Sequence, residues 1–104
     1  FTGGRHKDSE EVKRAFVPVF ERHGVDVVFS GDDHNYQRYE VGGVTYVVTG
    51  GGGVTLYPLR DDPRRAAGAS VYQYVLGTAG PETLELEAVS IEGDLIERHS
   101  LGPR

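Results

Sequence analysis

The 104 residues include no cysteine. That excludes disulfides, thiolate metal sites and a cysteine nucleophile, but it leaves the compartment open because secreted proteins also do without cysteine. Clustered basic residues are missing as well: with 11 Lys and Arg against 16 Asp and Glu the net charge is -5, and no basic stripe offers itself to nucleic acid or to an anionic membrane. The apolar runs are only a few residues long, far short of the ~20 that cross a bilayer as a helix. The chain starts at Phe1 rather than methionine, so a piece of a longer protein is expected, and any targeting segment would lie before it. What is present is globular material. With glycine counted in place of tyrosine the apolar share matches the roughly 45–50% of packed chains.

Asp8 and Ser9 followed by Glu10 and Glu11 form a helix start, since a short side-chain oxygen can satisfy free backbone N–H groups and acids favour the positive helix end. Val12, Ala15, Phe16, Val19 and Phe20 recur at helical spacing, Gly24 supplies a stop, and Pro18 is expected to kink or limit the helix. Residues 25–30 read as a short buried strand. The polar loop 31–35 follows, and then two β runs flank Gly42-Gly43, a two-residue hairpin turn. Glycines 50–53 break the sheet, residues 60–68 read as a mobile surface loop, and three β runs are expected at 70–76, 83–91 and 95–101. Glu92-Gly93-Asp94 is the turn joining the last two.

The stretch Ser30-Gly31-Asp32-Asp33-His34-Asn35-Tyr36-Gln37-Arg38 resembles the last metal motif of the calcineurin-like metallophosphoesterases, a GHxH loop after a strand. The surroundings resemble the purple acid phosphatases of that family: upstream from Phe16 to Val28, downstream from Gly43 to Gly53, and in the closing hairpin from Leu84 to Leu101. This likeness implies an α/β fold, the C-terminal part of a four-layer α/β/β/α sandwich, here mostly β with one N-terminal helix. Residues 1–104 would be the C-terminal half of one metallophosphoesterase domain, with the N-terminal metal motifs absent; no GNHD or GNHE occurs, and no DxH outside the 31–38 loop itself, where Asp32-Asp33-His34 has that spacing.

The implied activity is hydrolysis of phosphoesters by two divalent or mixed-valence ions (Fe, Zn or Mn), which activate a water and clamp the phosphate oxygens. His34 matches the second His of GHxH and is implied as a metal ligand. Asp32 stands where the family has the other His, a shorter oxygen donor suited to harder metals; an adapted ligand, a degenerate site and a deliberate substitution stay open. Asp33 reads as a solvated turn residue. His6 falls where these enzymes carry a substrate-facing His, implied to bind phosphate or protonate the leaving group, beside the plain reading of a frayed terminal residue. The expected partners are a phosphoester substrate and the missing N-terminal half of the domain, with self-association of the isolated piece. The alternative is a non-catalytic pseudoenzyme or binding fragment using its sheet or the 60–68 loop.

Overall fold

The computed structural model describes residues 1–103. Its first element is helix α1, Glu10–Arg22, opened by Ser9, whose hydroxyl accepts from Val12 N at 3.3 Å. Pro18 does not stop it; the helix runs on to Arg22, although the proline withholds the donor that the Arg14 carbonyl would otherwise receive. The end is a glycine cap. Gly24 sits at φ 64° and Val25 N bonds the Phe20 carbonyl at 3.0 Å, which keeps Val25 in the cap and delays strand β1 to Val27–Ser30.

Strands β2 (Tyr36–Val41) and β3 (Val44–Thr49) form the hairpin expected around Gly42 and Gly43, at φ 59° and 79°, a turn that requires both residues in left-handed conformation. Strand β4, Arg65–Ala69, pairs antiparallel with the other edge of β2. The expectation of a mobile 60–68 loop is therefore corrected: half of it is strand. Its small residues lack β-like side chains, and pairing with β2 supplies what propensity does not. The rest is tied by Arg64, which bonds both Asp62 and Asp8. The second sheet is β5 (Gln73–Ala79), β6 (Leu84–Ser90) and β7 (Leu95–Leu101), consecutive and antiparallel. The first of these starts three residues later than the pattern at 70–76 suggests.

The first sheet runs β1-β3-β2-β4, with β1 parallel to β3. Because side chains alternate across a strand, one face of this sheet offers Val27, Tyr36 and Val47 to Leu86 and Ala88 of the second sheet. The other offers Val28, Tyr39, Val44 and Tyr46 to Phe1 and to Val17 and Phe20 of α1. The layers are thus helix, sheet, sheet. This agrees with part of an α/β domain that is mostly β; among the described residues no second helical layer completes a four-layer sandwich.

The sheets are also joined by charge. Arg38 on β2 grips Glu97 on β7 with two bonds of 2.8 and 3.0 Å, Tyr36 donates its hydroxyl to the same carboxylate, and Arg38 reaches Glu40 at 2.7 Å. Burial by itself would push the Glu97 carboxyl upward, but the bonds from Arg38 and Tyr36 outweigh it and hold the group below its ordinary value. Burial, followed by the bond to Glu97, pushes the Tyr36 hydroxyl well up.

Candidate functional site

The loop between β1 and β2 is held from below. Gly50 N bonds the Asn35 carbonyl at 3.1 Å, and a Cβ on Gly50 would come within 2.1 Å of the Asp33 carbonyl oxygen. Only a glycine lets the two loops lie in contact, so the glycine run has a packing role besides breaking the sheet. Tyr57 N then bonds the His34 carbonyl at 2.9 Å, and Asn35 Nδ2 and Ser70 Oγ both donate to the Tyr57 carbonyl. These bonds seat the Tyr57 ring flat against the His34 imidazole, with centroids 4.0 Å apart and planes 19° from parallel.

His34 Nδ1 lies 2.8 Å from the Thr55 carbonyl. A carbonyl can only accept, so Nδ1 carries the proton, and in the neutral ring the lone pair is on Nε2. Fixing the remote nitrogen on a backbone oxygen is how proteins orient a histidine that must present Nε2 to a ligand.

His6 comes from the other end of the chain. Residues 2–7 fold back on themselves through a bridge between Gly3 and Lys7 and are fastened to the 31–35 loop by Asp33, whose oxygens accept from His6 N at 2.9 Å and from the Thr2 hydroxyl. Asp33 is 0% exposed. The expectation of a solvated turn residue is corrected: it is the buried fastening of the N-terminal loop. Around it, Gly3 N and the Tyr39 hydroxyl both donate to Gln37 Oε1, and Gln37 Nε2 donates to Asn35 Oδ1, so these buried polar groups are paired.

So placed, the His6 ring lies 6.0 Å from Tyr57 and the Arg5 guanidinium 5.0 Å from the same ring. The two histidines singled out in the sequence, 28 positions apart, meet around one tyrosine. Nothing in the sequence marks Tyr57 or Asp33 for this: no spacing rule links position 57 to 34, and an Asp in a polar loop carries no sign of burial.

Asp32 does not join them. It is exposed and lines a groove with Phe1, Ser30 and α1. Among the described residues no group of three or more His, Cys, Asp or Glu is placed to hold a metal ion. A pair of ions bridged by several such donors does not fit the side chains present.

No protein-family model matches the chain, and no curated protein matches it. A solved structure shares the fold: GAP50, the anchor in the inner membrane complex of Plasmodium, superposes with a TM-score of 0.90 at 19% sequence identity, over 100% of this chain and 34% of that chain. The chain thus spans about a third of the length of the protein it matches. These findings correct the assignment to the calcineurin-like metallophosphoesterases of the purple acid phosphatase type. No family match supports it, and a solved structure with this fold is named for anchoring. The likeness to GAP50 at this identity carries the fold alone.

Proposed function

We propose that residues 1–104 form the histidine-lined wall of a phosphoester-binding site, part of a metal-dependent phosphoesterase whose other groups lie outside these residues, and that the chain alone does not turn over. The observation that carries this is the meeting of His6, His34 and Arg5 at Tyr57. A phosphoester anion entering there finds the Arg5 charge and the His6 imidazole as donors, and His6 can hand a proton to the oxygen of a departing alcohol. His34 holds its Nε2 lone pair toward whatever Lewis acid or proton the completed site supplies. Any Fe, Zn or Mn ions would have to be held largely by side chains beyond these residues.

The test is turnover of a phosphoester by the native gene product. His6→Ala is expected to lower kcat by roughly 10²–10⁴, the usual worth of a general acid, and His34→Ala to abolish turnover. A native protein that hydrolyses phosphoesters equally well with both histidines replaced would end this reading. A protein with no phosphoesterase activity would favour the second one, a non-catalytic binding role through the sheet. That alternative draws support from the exposed apolar sheet margin and from the anchor role named for GAP50. The 60–68 segment is the weaker binding surface, being tied down by Arg64 and the β2 pairing.

A further inference from the structure

Arg60 makes no ion pair among the described residues. A guanidinium ordinarily seeks a carboxylate, where charge-assisted bonds are about twice as strong as neutral ones, but Asp62 and Asp8, beside it in one groove, are taken by Arg64. Its donors go to neutral backbone instead. Arg60 N bonds the Gly3 carbonyl at 2.7 Å, Nε bonds the Gly4 carbonyl, and Nη2 bonds the His6 carbonyl at 2.8 Å.

These bonds complete a hold on His6 that Asp33 begins. Asp33 accepts from His6 N at 2.9 Å and Arg60 donates to the His6 carbonyl, so the peptide groups on both sides of the His6 Cα are fixed. Because a residue has only two soft backbone dihedrals, pinning both flanking peptides sets φ and ψ, and with them the direction of the Cα–Cβ bond. Only the side-chain torsions remain free. The segment is wedged as well as bonded: a Cβ on Gly4 would come within 2.8 Å of the Asp33 carboxyl carbon, so the backbone lies directly against Asp33 while Arg60 holds its carbonyls. Neighbouring arginines do not share this work. Arg64 ties the 60–68 segment to Asp8, and Arg65 reaches the Gly3 carbonyl at 3.2 Å; Arg60 extends past Gly3 to His6 itself.

We infer that Arg60 is a positioning residue for His6: by holding the Gly4 and His6 carbonyls, its guanidinium aims the imidazole into the space beside Tyr57. The inference rests on the phosphoester reading, in which His6 gives a proton to the departing alcohol, and Arg60 acts there through His6 without touching a reacting atom. A lysine does not replace it, since an ammonium is a point charge without the planar fork that spans two carbonyls.

The test is a double-mutant cycle in the native gene product, with p-nitrophenyl phosphate as the probe. Arg60→Met is expected to lower kcat about 10²-fold, the cost of misplacing a catalytic group by about 1 Å. When His6 is already alanine the same change should lower kcat by less than about twofold, because residues that act through one another are not additive. Arg60→Lys, which keeps the charge, should lose nearly as much kcat with KM little changed, and it carries the cycle if the methionine variant does not fold. An undiminished loss in the His6→Ala background overturns the inference, since Arg60 would then act on substrate or fold. Full activity of Arg60→Lys also overturns it, by showing that charge alone matters. A native protein without turnover, or one that His6→Ala leaves unaffected, refutes the phosphoester reading instead. In that case the nuclear Overhauser contact between the His6 and Tyr57 rings decides: its loss in both Arg60 variants supports positioning by Arg60, and its persistence overturns it.

Discussion

Replacing Asp33 by alanine is the most informative single change. Its two oxygens hold two donors, His6 N at 2.9 Å and the Thr2 hydroxyl, and the side chain is wholly buried. A bond to a carboxylate is worth about 1.5–3 kcal/mol, and some of that returns when the freed donors reach water. A loss of about 2–4 kcal/mol follows, or roughly 10–20 °C in a domain of this size. Asp33→Asn keeps the shape and both contacts, because the Thr2 hydroxyl can turn from donor to acceptor, so its loss should be about 1 kcal/mol. Thermal unfolding at matched concentration measures both. The nuclear Overhauser contact between the His6 and Tyr57 rings should vanish in the alanine variant and persist in the asparagine variant. If Asp33→Ala unfolds within about 0.5 kcal/mol of the parent and keeps that ring contact, Asp33 is not the fastening of the N-terminal loop.

Other expectations concern charge, chemistry and assembly. Glu97 is held below its ordinary value, and Asp62, through hydrogen bonds from Arg64, is lowered to about 2. Depressed acids stabilise above their unfolded values and lose that contribution as pH falls through the folded ones, so melting should decline from about pH 5 down to about pH 2. Glu97→Gln should flatten the upper part of that slope, and a melting temperature indifferent to pH below 5 would contradict the assignment. The 104-residue chain should hydrolyse p-nitrophenyl phosphate no faster than metal ions in buffer, and purified turnover abolished by His34→Ala would refute this. The isolated chain should self-associate through its open margin, with Phe29→Lys shifting it toward monomer in sedimentation, whereas a monomeric parent chain with a sharp melt would falsify that expectation.

The resemblance of the 31–38 loop to a metal motif did not extend to a family match. A fold retained at 19% identity with GAP50 tolerates much change in sequence, so loop and strand likeness reflects shared architecture more readily than shared chemistry.

Features written in neighbouring residues were legible from the sequence: the Ser9 cap and the Gly24 stop of α1, the Gly42-Gly43 hairpin, and the β6–β7 pair around Gly93. Each is decided within a few positions, where a side-chain oxygen meets the next turn's N–H or a glycine accepts positive φ. What tertiary structure alone decided depends on groups far apart in the chain. Strand β4 exists because β2 offers it an edge, although its own residues are poor strand formers. Asp33 is buried because residues 2–7 return over it, and His6 and His34 become neighbours only through Tyr57. The open edge of β1 follows from strand order, and strand order is settled by which faces can bury together. Such contacts reward the chain only after long loops have closed, so no local pattern records them.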